Sequence, residues 1–140
     1  MKDIFSKEKL MAAVENLTSK NDSCGVDGIL VSECKDYFEM NGESIREQLI
    51  TGKYIPNAVL MVEVLKKNGK RRQIAKYTST DRVVLDVLKQ ELTPIWEGTF
   101  SQYSFAYQKD KGIQDAIQQC AKYIESGYEW VIELDIREIR

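Results

Sequence analysis

The chain has 140 residues, 43% hydrophobic and 30% charged, with a formal net charge of −2. That length and mixture suit one ordinary globular core and exclude a wholly disordered chain. No apolar run approaches the roughly 20 residues of a membrane helix, and residues 1–6 lack the apolar stretch of a secretory signal, so no membrane partner and a cytoplasmic location are expected.

Leu10, Ala13, Val14 and Leu17 recur at helical spacing after Ser6, a candidate N-cap, and predict a short amphipathic helix. The polar stretch over residues 19–28, with Gly25 and Gly28, reads as a loop. A second helix is expected from about Ser32 through Tyr37 and Phe38, broken at Asn41-Gly42 and resumed with Ile45, Leu49 and Ile50.

Residues 58–65 are rich in β-branched side chains and predict a strand. The Asn68-Gly69 pair favours a tight turn, and residues 72–76 return as the partner strand. Ser79 or Thr80 caps an expected helix from about Asp81 to Glu91, which Pro94 limits. Residues 100–111 mix rings and polar groups without periodicity, a loop in which Phe100 and Phe105 are expected to act as anchors. Ile113, Ala116, Ile117, Cys120 and Ile124 give a last helix closed by Gly127, and residues 130–136 an apolar strand that carries Asp135 near its end.

The composition narrows the chemistry. There is no histidine, which excludes Ser-His and Cys-His nucleophile pairs and histidine-ligated metals. Cys24, Cys34 and Cys120 are too few and too scattered for a disulfide framework or a zinc site. The near-neutral charge hides a local cluster, because Lys66, Lys67, Lys70, Arg71, Arg72 and Lys76 lie together with no acid among them. On a hairpin these cations can be aimed at phosphates, Lys as a point charge and Arg as a bidentate fork. They can equally guard an exposed strand edge against pairing, and the cluster alone leaves both readings open. Asp135 stands where open sheets place metal ligands, yet many strands end in a polar residue. Tyr107 and its neighbouring rings can stack on bases or pack on a core.

Taken in order, several motifs resemble group II intron-type reverse transcriptases. They are Gly25-Val26-Asp27-Gly28, Gly52-Lys53-Tyr54-Ile55-Pro56, Lys66-Lys67-Asn68-Gly69-Lys70-Arg71-Arg72, Asp81-Arg82-Val83-Val84, Leu92-Thr93-Pro94-Ile95-Trp96, Phe100-Ser101-Gln102-Tyr103-Ser104-Phe105-Ala106-Tyr107 and Glu133-Leu134-Asp135-Ile136. Each is of low specificity alone; their common order carries the resemblance. It implies an α+β fold, a fingers subdomain with helices around a β-hairpin and the first palm strand. Residues 1–50 would form an amino-terminal extension, 51–128 the fingers, and 129–140 the start of the palm.

The resemblance further implies an RNA-directed DNA polymerase, encoded by an intron, that binds intron RNA, an RNA template, a DNA primer and dNTP. By it, Lys66 and Arg72 correspond to the residues that hold the nucleotide triphosphate. Asp135 corresponds to the first catalytic aspartate, binding Mg²⁺ with the backbone carbonyl of Ile136; one such ion activates the primer hydroxyl and another stabilises the leaving pyrophosphate. Lys67, Lys70, Arg71, Lys76, Arg82, Tyr107 and Lys111 are the candidate nucleic-acid contacts, and the Gly25 loop lies in the extension that meets RNA. The chain departs from the family at Ala106-Tyr107-Gln108-Lys109, where a Gly-Phe-Arg-Pro run is usual, and at Ile139-Arg140, where aromatic residues are. With no Tyr-x-Asp-Asp strand, the chain is not expected to polymerise unaided. The rival readings are a retron, CRISPR-associated or defence reverse transcriptase, a non-catalytic RNA-binding module, and a fragment that self-associates through exposed apolar surface.

Overall fold

The computed structural model describes residues 4–19, 25–65, 67 and 69–136. Two compact units divide the chain, Met1–Ile95 and Trp96–Arg140. The expected α+β class is borne out, with four α-helices and one two-stranded antiparallel sheet among the described residues.

In the first unit, α1 (Lys7–Thr18) starts where Ser6 Oγ accepts the Lys9 N–H, so the cap read from the sequence forms. A 3₁₀ turn, Val31–Glu33, leads into α2 (Cys34–Ile50). The expected break at Asn41-Gly42 does not occur. A mid-helix glycine costs only about 1 kcal/mol against alanine, and Phe38 and Ile45 are buried on either side of it, which outweighs that cost. Asn41 Nδ2 donates to the Tyr37 carbonyl, a local bond that leaves the helix intact.

The third helix, α3 (Ser79–Trp96), also differs from expectation at both ends. Its cap is Thr78, whose hydroxyl accepts the Asp81 N–H at 3.0 Å, while Arg82 N–H bonds the Thr78 carbonyl. Pro94 lies inside the helix rather than ending it. The residue lacks an N–H, but so near the C-terminus it removes a single rung of the ladder, and the preceding turns are already formed. The core joins Leu10, Ala13 and Val14 of α1 to Cys34, Phe38 and Ile45 of α2 and to Val83 and Val87 of α3. Burial raises the pKa of the Cys34 thiol, only partly offset by its hydrogen bond with Ser79.

The loop after α1 is clasped to the start of α3. Asp27 Oδ2 accepts the Ser79 N–H at 2.8 Å, Ser79 Oγ donates to the Ile29 carbonyl, and Val26 N–H to the Tyr77 carbonyl. A Cβ on Gly25 would sit 2.3 Å from Asp27 Oδ1 and 2.5 Å from Ser79 N, so only glycine lets the loop approach this closely. Gly25 to Gly28 therefore has a packing role in this chain, a reading the motif alone does not give.

In the second unit, α4 (Ile113–Glu125) begins at Gly112, whose N–H donates to Asp115 Oδ2, and is followed by Gly127 at φ 89°. Tyr123 packs edge-on to Tyr128 and lies beside Tyr103. The apolar side chains Ile113, Ile117 and Ile124 are exposed. Residues 130–136, expected to form a strand, are not paired as one. A strand exists only with a ladder partner, and β1 and β2, the strands among the described residues, pair with each other. Trp130, Ile132 and Leu134 remain largely exposed.

Candidate nucleic-acid interface

The hairpin read from the sequence forms as β1 (Leu60–Leu65) and β2 (Arg71–Lys76). Leu65 pairs with Arg71, so the connection spans residues 66–70, with Gly69 at φ 77°. Lys66 and Asn68 lie outside the described residues, and so do Cys24, Ile139 and Arg140.

Register decides what each face offers, since directly opposed residues share a face. Leu60 opposes Lys76, Val62 opposes Ile74, and Val64 opposes Arg72. One face thus combines four aliphatic side chains with the cations Arg72 and Lys76, and no acid lies among its paired residues. The other face carries Met61, Glu63 and Leu65 against Ala75, Gln73 and Arg71. There Arg71 Nη1 meets Glu63 Oε2 at 2.9 Å. The acid-free cluster seen in the linear sequence is therefore partly neutralised across the strands, at Arg71. An exposed pair of this kind contributes at most about 1 kcal/mol to stability, but it offsets the cation's charge toward an anion.

Lys67, Lys70, Arg72 and Lys76 are all exposed. Arg82 is half-buried on α3, in the core unit rather than on the hairpin, and its charge acts on the Cys34 thiol. In the second unit, Lys111 Nζ donates to the Gln102 carbonyl at 2.9 Å and sits 5.7 Å from the Phe105 ring centre. Lys111 is thus engaged within its own loop. Phe105 is half-buried as an anchor, whereas Phe100 is exposed, contrary to expectation. Tyr107 is fully exposed with φ 58°, a left-handed conformation that presents the ring to solvent.

Asp135 and Ile136 are exposed. Among the described residues no three His, Cys, Asp or Glu side chains gather as a metal set. A single carboxylate with one neighbouring carbonyl falls short of the octahedral oxygen set of Mg²⁺, so the residues present do not complete such a site.

Sequence reasoning missed a buried polar cluster of the first unit. Asp81 is 4% exposed and accepts four hydrogen bonds. Oδ1 takes the Tyr54 hydroxyl at 2.6 Å; Oδ2 takes the Thr78 hydroxyl at 2.6 Å, the Asn57 N–H at 3.1 Å and Asn57 Nδ2 at 3.4 Å. Burial pushes the Asp81 pKa up, but the bonds from Thr78, Tyr54 and Asn57 outweigh it and hold the carboxyl below its ordinary range. Burial and the same carboxylate raise the Tyr54 phenol well above its usual value, so it stays a donor. The Thr78-x-x-Asp81 spacing was a legible capping signal; the partners upstream were not.

In the first unit these features set an exposed, cationic two-stranded hairpin beside a helical core. No protein-family model matches the chain. It is 29% identical over 130 residues to Protein YkfC of Escherichia coli K12, a match covering 89% of the chain and 34% of that relative. It is 27% identical over 126 residues to the group II intron-encoded protein LtrA of Lactococcus lactis, covering 89% of the chain and 21% of LtrA. A putative COX1/OXI3 intron 1 protein of Saccharomyces cerevisiae is 27% identical over 94 residues, 67% of the chain and 11% of that protein. The chain spans about a third of YkfC and about a fifth of LtrA. The chain is thus similar to group II intron-encoded proteins, in line with the resemblance carried by the ordered motifs.

Proposed function

We propose that this chain is the nucleotide- and RNA-gripping part of an intron-type RNA-directed DNA polymerase, and that the hairpin is its gripping element. The observation that carries the reading is the strand register, which sets Arg72 and Lys76 on one face without an acid beside them. Cations supply sequence-independent affinity for a phosphate backbone, while the aliphatic stripe between them suits the flat face of a base or sugar. Arg72, with Lys66 by the family resemblance, holds the triphosphate of an incoming dNTP. Lys67, Lys70 and Lys76 grip the RNA backbone, and Tyr107 offers a ring for stacking. Asp135 supplies one carboxylate to a Mg²⁺ site that other residues must complete. A second reading, self-association of the chain, is favoured by the exposed apolar side chains of α4 and of residues 130–136.

The test is binding of a single-stranded oligouridylate to the chain at graded salt. Affinity is expected to fall steeply, and the triple substitution Lys67→Ala, Lys70→Ala, Lys76→Ala to flatten the log–log slope by about 2, at ~0.7 per phosphate contact. Arg71→Ala should flatten it less than Lys76→Ala, because Glu63 already offsets Arg71. Affinity independent of salt, or a slope unmoved by the triple substitution, contradicts the reading.

A further inference from the structure

We propose that Asp81 is the positioning residue of the cationic hairpin, clamping both of its feet to the core through one buried carboxylate. The inference rests on the hairpin being the gripping element. Neither strand contains a buried residue, so packing does not fix where the arm points. A lone two-stranded hairpin is marginally stable in water, and its aim depends on how its ends are held.

Both ends converge on Asp81. Asn57, just ahead of β1, gives Oδ2 its backbone N–H and its side-chain amide. Thr78, just after β2, gives the same oxygen its hydroxyl. Tyr54, further along the incoming segment, occupies Oδ1. Asp81 itself is fixed, because its N–H is bound to Thr78 Oγ1 and its helix continues into the buried residues Val83 and Val87. Every partner donates, so a carboxylate meets the whole set, whereas an amide would turn its own N–H₂ toward donors. The geometry is that of a hinge pin shared by two strands. An arm held in this way keeps its cations pre-aimed, so less ordering entropy is lost when a polyanion binds.

Preorganisation has a signature that lost contacts do not share: affinity falls while the number of phosphate contacts, and hence the salt slope, stays the same. The experiment uses this chain, a single-stranded oligouridylate and amide hydrogen exchange, with Tyr54→Phe and Asn57→Ala as mild variants and Asp81→Asn as the severe one. In the mild variants, amides of β1 and β2 should exchange about tenfold faster, with α1 and α2 unchanged, as expected for a lost bond to a charged group. RNA affinity should fall by about three- to tenfold at an unchanged salt slope, and Asp81→Asn should exceed both variants. Unchanged hairpin exchange in the mild variants, equal acceleration in α1 and α2, or a flattened salt slope overturns the clamp. Should the wild-type chain not bind RNA at all, the functional reading falls; faster exchange confined to the hairpin would still sustain the clamp, and its absence would remove that too.

Discussion

Asp135→Asn, placed in a polypeptide that extends through the remaining catalytic carboxylates, is expected to abolish DNA synthesis. The amide keeps the shape of the side chain and loses the negative oxygen that a hard cation needs. If Asp135 helps hold Mg²⁺, several kcal/mol of charge stabilisation disappear, about a thousandfold or more in rate at 1.4 kcal/mol per tenfold. Folding and RNA binding should change little, since Asp135 is exposed and lies outside the hairpin. Primer extension on an RNA template measures the effect. Synthesis within tenfold of wild type would remove Asp135 from the catalytic role.

Arg72 should have the next largest effect, and a more selective one. A charge-assisted contact to a triphosphate is worth about 1.5 to 3 kcal/mol, so Arg72→Ala should lower kcat/KM for dNTP roughly ten- to a hundredfold in the same extended polypeptide. Arg72→Lys should also be impaired, because an ammonium cannot reproduce the guanidinium fork. RNA affinity should change less if, as proposed, Lys67, Lys70 and Lys76 carry the backbone contacts. Loss of RNA affinity with dNTP kinetics unchanged would mean that the hairpin grips nucleic acid alone and that the nucleotide site lies elsewhere.

What could be read in advance followed the range of the interaction concerned. Ser6 with the apolar spacing of α1, and Gly127 with that of α4, are local signals, and both helices appear where that spacing puts them. The hairpin was equally legible from the β-branched run over residues 58–65 and the Asn68-Gly69 pair that follows it. Local signals misled at Asn41-Gly42, where packing inside α2 overrode them, and at Pro94, where one lost rung so near the end of α3 did not stop the helix. Residues 130–136 have strand-forming side chains, but a strand also needs a partner, which no local pattern supplies.

The site divides along the same line. A run of lysines and arginines is visible in sequence; that Glu63 neutralises Arg71 becomes visible only with the register. Asp81 was noted only as part of a motif, because Tyr54 and Asn57 stand 27 and 24 residues away along the chain. Gly25 likewise drew attention as a loop glycine, whereas its requirement comes from Ser79, far along the sequence and in contact in space.

The most direct measurement of whether the hairpin is the gripping element is to photocrosslink a bound oligouridylate to this chain and map the attached residues by mass spectrometry. Crosslinks are expected to concentrate on the hairpin, at Lys67, Lys70 and the Arg72–Lys76 face, and to be competed away by salt. Crosslinks confined to α1 and α2, with the hairpin unmarked at low salt, would contradict it.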